Sequence, residues 1–245
     1  MDVSIIIPLF NESESLKELD DWISLSFKYK DLDYEVVYID DGSNDSSWDI
    51  IKSISQNNSN RKGISFIKNY GKSQALRVGF SEAKGKYIAT LDADLQDSPE
   101  EIPLMIKKLA ENDLDLISGW KKKRHDSFIT KRIPSYFFNL VARVFSGIKL
   151  NDFNCGIKVY RKEVAKSISL YADMHRFIPI LAKNKGFNRI GEHVVKHQAR
   201  KYGKTKFGNE RFIRGFLDII TLWFTEKFGR RPMHFFGTVG TIMFI

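Results

Sequence analysis

Short apolar runs alternate with amphipathic stretches along the first 119 residues of the chain. The runs of strand length are residues 3–9, 34–39, 64–68, 86–91 and 114–118. The stretches with apolar residues at helical spacing are residues 13–29, 46–55, 73–83 and a segment that opens at residues 98–101. Strands that alternate with helices at this spacing predict an α/β fold, with a mostly parallel central sheet covered by helices on both faces.

Two of these helices have polar residues at their predicted starts. Asn11 precedes the first helix, and Glu14 follows three residues later, as in a capping box. Ser98 stands in the same relation to Glu101, with Pro99 between them. We therefore expect a side-chain cap from Ser98 and a proline in the first turn of the fourth helix.

The second half of the chain contains two amphipathic segments, residues 134–148 and 209–228, each with aromatic weight on its apolar face. Such a face packs either in the core or in the headgroup layer of a membrane, and the sequence leaves both open. Residues 235–245 (FFGTVGTIMFI) carry no charge and follow Arg230 and Arg231, as at a cytoplasmic membrane boundary. Because a spanning helix needs about 20 apolar residues, we expect the start of a longer transmembrane helix, with a buried C-terminal segment as the alternative.

Composition excludes several classes of protein. With 42% hydrophobic and 28% charged residues, the 245-residue chain is globular rather than disordered or coiled coil. Its one cysteine, Cys155, excludes an internal disulfide and a cysteine-built zinc site. The net charge of +9 is unevenly distributed, because residues 1–119 hold 13 Lys and Arg against 22 Asp and Glu, whereas residues 120–245 hold 26 against 8. The second half is therefore a strongly basic surface.

Three polar clusters directly follow predicted strands. They are residues 11–12 (NE), 40–43 (DDGS) and 92–96 (DADLQ). The carboxyl ends of parallel strands share one edge of the sheet, where open α/β sheets bind ligands. Two carboxylates one residue apart, Asp92 and Asp94, suit Mg²⁺ or Mn²⁺, which completes its coordination with water and phosphate oxygens. The alternative is an Asx-turn that only stabilises the strand exit.

Other phosphate and metal motifs are excluded by their spacing. No Gly-x-Gly-x-x-Gly follows the first strand. Residues 71–73 (GKS) end like a P-loop, but the earlier glycine that this motif requires would fall at Phe66. His193 and His197 are four residues apart without the glutamate of a helical zinc motif, so a structural role in a β-rich segment is favoured.

Several motifs together resemble one enzyme family. Residues 7–12 (IPLFNE), 40–43 and 92–99 (DADLQDSP) are similar, in order and spacing, to the family-two nucleotide-sugar glycosyltransferases of the A-type fold. The chain is more closely similar to their polyprenyl-phosphate branch, which includes dolichol-phosphate mannosyltransferase and bacterial undecaprenyl-phosphate glucosyltransferases. The further similar segments are residues 68–72 (KNYGK), 154–158 (NCGIK), 175–179 (HRFIP) and 200–206 (RKYGKTK).

The resemblance implies roles for individual residues. Those implied to bind the nucleotide sugar are Pro8, Glu12, Asp40, Asp41, Lys72, Asp92 and Gln96. Those implied to hold Mg²⁺ or Mn²⁺ are Asp92, Asp94 and Gln96. Those implied to bind the acceptor phosphate are Arg124, Arg132, Arg200, Lys204 and Lys206. The implied catalytic residues are Asp92, Asp94, Arg132 and Arg200.

The resemblance also implies a division into domains, and the chain departs from the family pattern at one position. We expect a catalytic domain over residues 1–208 (a nucleotide-sugar half to 119 and an acceptor half from 120), amphipathic juxtamembrane helices over 209–234 and the start of a transmembrane helix over 235–245. Lys121 stands beside Trp120 where relatives often have arginine, and lysine lacks a bidentate fork, so no specific phosphate contact is expected of it. We expect residues 121–131 to be a mobile loop that orders around substrates.

A phosphate acceptor explains the basic second half. A phosphate is already an anion and can attack the anomeric carbon without a general base, whereas a hydroxyl acceptor needs one. The chain has neither the Glu-Asp pair frequent in hydroxyl-using relatives nor the Gln-x-x-Arg-Trp of processive synthases. The leading hypothesis is therefore inverting transfer of a hexose from a UDP-glucose-like or GDP-mannose-like donor to a polyprenyl phosphate at the cytoplasmic membrane face.

Three other functions stay open at this level. One is transfer to a saccharide hydroxyl in cell-surface polysaccharide assembly, and another is a catalytically inactive scaffold. The third is a nucleic-acid-binding protein, which the basic pI of 9.4 allows but the acidic first half argues against. Nucleic acid is thus not an expected partner, whereas a nucleotide sugar, a lipid phosphate and the membrane are. The sequence leaves homo-oligomer formation open.

Overall fold

The computed structural model describes residues 1–122, 133–202, 210–229 and 231–244. The chain divides into two compact units, Met1–Lys204 and Thr205–Ile245. The first unit is an α/β domain around one sheet, and the second consists of two helices.

The first unit is built on a seven-stranded sheet with the order β3-β2-β1-β4-β6-β5-β7. The strands are β1 (Val3–Leu9), β2 (Tyr34–Asp40), β3 (Arg61–Ser65), β4 (Tyr87–Thr90), β5 (Leu116–Trp120), β6 (Lys158–Arg161) and β7 (Ile190–Val194). The helices are α1 (Ser13–Phe27), α2 (Ser47–Asn57), α3 (Lys72–Glu82), α4 (Glu101–Glu111), α5 (Ile133–Ser146), α6 (Lys162–Ser167) and α7 (Ile178–Asn184), with a 3-10 helix at Met174–Phe177. The predicted α/β class with a mostly parallel sheet is confirmed.

The core lies between β1 and the helices that cover it. All seven residues of β1 are buried, as is typical of a central parallel strand covered on both faces. On α1, Leu16, Leu19, Ile23 and Phe27 form the buried stripe. Burying an aliphatic or aromatic side chain of this size contributes about 1.5–3 kcal/mol. The buried apolar residues of β1 and α1 therefore stabilise this half of the sheet.

One strand runs against the expectation that every strand end meets at one edge. β6 is antiparallel to both of its neighbours, β4 and β5. Its first residue, rather than its last, therefore lies at the edge where the parallel strands end. The Thr90 hydroxyl at the end of β4 donates to the carbonyl of Gly156 at 2.8 Å, which ties the segment before β6 to this edge.

The two predicted side-chain caps do not form. α1 begins at Ser13 with Glu12 in the cap position. α4 begins at Glu101, two residues later than expected, so Pro99 precedes the helix; neither helix has a side-chain cap bond. Asn11 has a positive φ of 51°, and its carboxamide accepts the backbone N–H of Asn44 at 2.8 Å instead. The Ser98 hydroxyl is buried without a partner among the described residues. A tertiary hydrogen bond thus replaces the expected cap at Asn11, whereas no described bond of the Ser98 hydroxyl replaces the cap expected there.

The amphipathic segment at residues 134–148 forms helix α5. Phe138 packs on Phe177, with 5.5 Å between ring centroids, and Ala142 is buried. Val144 and Phe145 are exposed. α5 therefore packs one face on the domain and leaves apolar side chains on the other.

The second unit comprises α8 (Glu210–Phe228) and α9 (Pro232–Phe244). The aromatic rings of Phe224, Phe228, Phe235 and Phe236 contact one another between these two helices. α9 has no buried residue within its described range. Within the described ranges, no helix combines the length and apolar character needed to cross a membrane.

Candidate active site

Seven segments meet at the edge of the sheet where the parallel strands end. Besides a segment that precedes β6, they include segments that follow β1, β2, β3, β4, β5 and β7, and they carry most of the polar side chains singled out in the sequence. The expectation that Glu12, Asp40, Asp92 and Asp94 share this edge agrees with the strand order. Arg200, which follows β7, reaches the same place.

Asp92 forms an ion pair with Lys72, the first residue of α3. The Lys72 Nζ and Asp92 Oδ1 atoms are 2.5 Å apart. Burial alone would raise the pKa of Asp92, but the charge and hydrogen bond of Lys72, together with the charge of Lys121, lower it to about 2. Asp92 is therefore a carboxylate at every physiological pH.

The position of Lys72 depends on the turn that precedes it. Both carboxylate oxygens of Asp41 accept backbone N–H groups of this turn, from Tyr70 at 2.7 Å and from Gly71 at 2.9 Å. Gly71 has a φ of +92°, a conformation that a residue with a side chain rarely adopts. Burial raises the pKa of Asp41, although these two N–H donors oppose the rise. Asp41 thus organises the turn that presents Lys72 to Asp92.

Gly156 lies directly against the Asp92 carboxylate. A Cβ atom at this position would stand 2.7 Å from Asp92 Cγ, which is too close for any side chain. A side chain at Gly156 would therefore require the Asp92 carboxylate or the segment before β6 to move.

Asp94 is paired with Arg200 on the other side of the same turn. The Arg200 Nη2 atom lies 2.6 Å from Asp94 Oδ2, and its Nη1 atom lies 3.6 Å from Glu12 Oε1. Between the two aspartates of the turn and Gln96, Leu95 has a positive φ of 58°. Burial and the charge of Asp92 raise the pKa of Asp94 above its ordinary value, against the opposing charge of Arg200. The pKa of Asp92 is thus lowered and that of Asp94 is raised, although the two carboxylates are one residue apart.

Asp40 is buried at the end of β2 and anchored by hydroxyl and backbone groups. Ser43 donates its N–H to Oδ1, and the Ser65 hydroxyl donates to Oδ2, both at 3.0 Å. Pro8, in β1, is the register partner of Ile39 beside it. The nucleotide pocket implied for Asp40, Pro8 and Glu12 remains a prediction.

A buried ionic cluster lies beneath the aspartate turn. The Oδ1 atom of Asp97 is 2.9 Å from Lys121 Nζ and accepts the Nδ1–H of His197 at 3.1 Å. Burial alone would raise the pKa of Asp97, but the Lys121 charge and the His197 bond hold it below its ordinary value. Lys121 is thus held by a carboxylate rather than belonging to a mobile loop. The structural role favoured for His197 agrees with this contact.

A second buried contact joins α3 to the 3-10 helix. The Ser73 hydroxyl accepts the backbone N–H of His175 at 3.0 Å and lies 3.1 Å from its Nδ1 atom. Burial lowers the pKa of His175 well below its ordinary value, and the charges of Lys72 and Arg176 lower it further. A neutral imidazole therefore sits beside the residue that follows Lys72.

Sequence reasoning did not assign functions to several residues at this edge. Three of them, Asp97, Gly156 and His175, lie in the motif segments, but membership of such a segment does not predict which residues they contact. These unassigned residues are Ser73, Asp97, Gly156, His175 and His197. Four predicted phosphate-binding residues, Arg124, Arg132, Lys204 and Lys206, lie outside the described residues, as do residues 123–131 of the expected loop.

The donor set at this edge fits a divalent cation bound together with a ligand. The described residues contain no group of three or more Asp, Glu, His or Cys side chains that could hold a metal ion. Mg²⁺, however, typically takes only one or two protein carboxylates and completes its shell with water and phosphate oxygens. Asp92, which lies against Gly156, and Asp94 meet that requirement.

Comparisons with known proteins agree on one family. Residues 4–169 match the family described as "Glycosyl transferase family 2". A dodecaprenyl-phosphate galacturonate synthase of Rhizobium johnstonii is 35% identical over 242 residues, which cover 98% of this chain and 72% of that protein. An undecaprenyl-phosphate 4-deoxy-4-formamido-L-arabinose transferase of Shewanella sediminis is 37% identical over 240 residues, covering 97% and 70%.

Solved structures share the fold at low sequence identity. A glucosyl-3-phosphoglycerate synthase of Mycobacterium tuberculosis, crystallised with Mn²⁺, UDP and glucosyl-3-phosphoglycerate, has a TM-score of 0.68 at 16% identity and covers 92% of this chain and 79% of its own. The same enzyme with Mg²⁺ and UDP has a TM-score of 0.67 at 17% identity, covering 89% and 79%. At this identity the likeness concerns the fold alone.

Proposed function

This chain belongs to glycosyl transferase family 2, and we propose that it transfers a sugar from a nucleotide sugar to the phosphate of a polyprenyl lipid. The observation that carries the proposal is the similarity, over nearly the whole chain, to enzymes named for dodecaprenyl and undecaprenyl phosphate. The carboxylates and basic side chains gathered at one sheet edge supply matching chemistry. The sugar of our proposal is a hexose.

The nucleotide end of the donor occupies the β1–β2 side of the site. Asp40 binds the ribose or base in a pocket shaped by Pro8 and Glu12, and Asp41 acts through the turn before Lys72. Asp40 is suited to this because each of its oxygens accepts one described hydrogen bond at 3.0 Å and so retains acceptor capacity. Hydroxyl donors of a ribose complement such a carboxylate.

The donor diphosphate lies over the aspartate turn. Asp92 and Asp94 would hold Mg²⁺ or Mn²⁺, with Gln96 nearby, and the ion would supply charge neutralisation on the diphosphate. Lys72 and Arg200 already stand beside these carboxylates, at 2.5 and 2.6 Å. The Lys72 ammonium and the Arg200 guanidinium can each move from a carboxylate to a phosphate oxygen. In that position they stabilise the charge that develops on the leaving group.

The acceptor phosphate is its own nucleophile. One of its oxygens forms a bond to the anomeric carbon while the bond from that carbon to the donor diphosphate breaks, and the nucleoside diphosphate leaves. This displacement inverts the anomeric configuration and needs no general base, since a phosphate oxygen carries the electron pair. Arg200, with Arg124, Arg132, Lys204 and Lys206, offsets the repulsion between the two anions.

The lipid acceptor places the reaction at the cytoplasmic face of a membrane. The 26 Lys and Arg of residues 120–245, against 8 acidic residues, suit an anionic headgroup layer. α9, apolar and exposed along its length, is the segment that enters the lipid, while α8 lies in the headgroup layer. In this proposal residues 1–208 form the catalytic domain and residues 209–245 the membrane-associated part.

An acceptor and donor screen tests the proposal. The protein is incubated with radiolabelled UDP-glucose, UDP-galacturonate or GDP-mannose, with Mg²⁺ or Mn²⁺, and with a short-chain polyprenyl phosphate or a set of saccharides. We expect label in the organic phase for the lipid phosphate with at least one donor, and its loss with EDTA. Label on a saccharide alone would support the hydroxyl-acceptor alternative and overturn the proposal.

A further inference from the structure

We propose that Asp97 is a positioning residue for the transfer reaction, holding Arg200 against Asp94 with the help of the buried cation Lys121. The inference deepens the proposed function and rests on it wherever turnover is the readout. It assigns Lys121 to the scaffold of the site and not to phosphate binding.

The Asp97 carboxylate joins three segments that reach the sheet edge from different strands. Asp97 follows Asp94 by three residues on the segment after β4, Lys121 follows β5 directly, and His197 follows β7. One oxygen of Asp97 contacts both partners, at 2.9 Å and 3.1 Å.

The backbone reinforces this junction. Asp97 and His197 form an antiparallel bridge, and the N–H of Gln198 donates to the carbonyl of Gln96 at 2.8 Å. Two residues after Gln198, Arg200 reaches Asp94 at 2.6 Å. The aspartate turn and the arginine that contacts it are thus fastened together a few residues away from the contact itself.

The burial of the cluster explains why its charges matter. The side chains of Asp97, Lys121 and His197 are only 1%, 16% and 4% exposed. A buried charge is costly unless it is paired, so each member depends on the others. Lys121 is paired with Asp97, so we assign its charge to this cluster rather than to a phosphate site. Directional hydrogen bonds to a single oxygen fix the register of the joined segments, which apolar packing would not do.

Charge-balanced variants separate the scaffold role from phosphate binding. We expect Asp97→Asn and Lys121→Met each to lower kcat/KM about tenfold or more, as small misplacements of a catalytic group do. The double variant removes both buried charges, while the amide oxygen that Asp97→Asn introduces can still accept the hydrogen bond from His197, so it should recover most of the loss. The matched control is Lys62→Met, which breaks an exposed pair with Glu82 and should leave activity unchanged. If the double variant is as inactive as Lys121→Met alone, Lys121 is a direct ligand and the inference is wrong.

A second cycle asks whether Asp97 acts through Arg200. All variants are assayed well below their melting temperatures, so that only folded protein is compared. Asp97→Asn should cost about tenfold in the natural background but less than about twofold in an Arg200→Met background. A general weakening of the fold would instead give equal losses in both backgrounds, and that result would overturn the positioning role.

Hydrogen exchange tests the same junction without turnover. In Asp97→Asn, the amides of residues 195–200 should exchange at least about tenfold faster, while those of β1 and β2 keep their protection. Unchanged protection of residues 195–200 would count against the inference. If the unaltered protein transfers no sugar in any assay, the proposed function fails, and this exchange measurement still decides whether Asp97 fastens the segment.

Discussion

At the scale of single residues, Asp94 is the carboxylate whose loss should separate activity from folding. It lies on a turn at the sheet edge and contacts Arg200 rather than the apolar core. We expect Asp94→Asn to lower kcat by about 100-fold or more, because a neutral amide binds a divalent cation poorly and leaves donor charge unbalanced. The melting temperature should change little.

The test for Asp94 compares turnover and thermal melting on the same preparations. Asp49→Asn is the matched control, because Asp49 pairs with Lys52 on the exposed face of α2. Near-normal turnover of Asp94→Asn with saturating Mg²⁺ or Mn²⁺ would contradict the proposed metal role.

Gly156 is the residue whose requirement is steric. A methyl group there would collide with Asp92, so Gly156→Ala must push the carboxylate or the segment before β6 aside. We expect turnover to fall about tenfold or more, since displaced catalytic groups lose rate steeply. Gly240→Ala is the control, because an added Cβ on α9 meets nothing within 4 Å. Equal activity of the two variants would show that Asp92 tolerates displacement.

At the scale of elements, Asp20 fastens α1 to two strands. Its Oδ1 atom accepts the Tyr38 hydroxyl of β2 and the Arg61 Nε–H of β3, both at 2.7 Å. Asp20→Ala leaves the buried Arg61 without a countercharge, so we expect the free energy of unfolding to fall by about 3–5 kcal/mol. Urea denaturation measures it, with Lys52→Ala at an exposed pair as a control expected within about 1 kcal/mol. If Asp20→Ala lowered the free energy of unfolding no more than the control does, the buried pair would not fasten α1 to the strands.

The pair of Asp20 and Arg61 also explains why the bounds predicted for β3 were wrong. β3 was expected at residues 64–68 but lies at Arg61–Ser65, because Asp20 allows the charged Arg61 to be a buried strand residue. Ile67, by contrast, is apolar yet 92% exposed in the loop after the strand. The first two strands were predictable because long apolar runs need no distant partner to be buried.

The site was predictable only where its chemistry lies in consecutive residues. Asp92 and Asp94 stand out in the sequence because two carboxylates follow one strand. The role of Asp97 was not visible, since its partners Lys121 and His197 lie far along the chain. β6 was missed for the same reason: it is four residues long, and its pairing depends on β4 and β5.

At the scale of the whole molecule, the uneven charge predicts salt-sensitive membrane binding. Attraction to anionic lipid contributes about 1 kcal/mol per well-placed Lys or Arg and is screened over roughly 8–10 Å at physiological salt. We expect sedimentation with anionic vesicles to be strong in low salt and mostly lost near about 0.5 M, and neutral vesicles to bind poorly. Salt-independent binding to both kinds of vesicle would assign attachment to the apolar helices instead.

The antiparallel insertion of β6 has a consequence for how the chain emerges from the ribosome. β4 is complete long before its neighbour β6 is made, and at about 5–20 residues per second the delay is several seconds. During that time the edge of β4 is open, and an open strand edge is a template for pairing with other chains. Nascent chains arrested after residue 122 should therefore bind chaperones or aggregate, whereas chains arrested after residue 202 should not; pelleting of both arrested forms measures it.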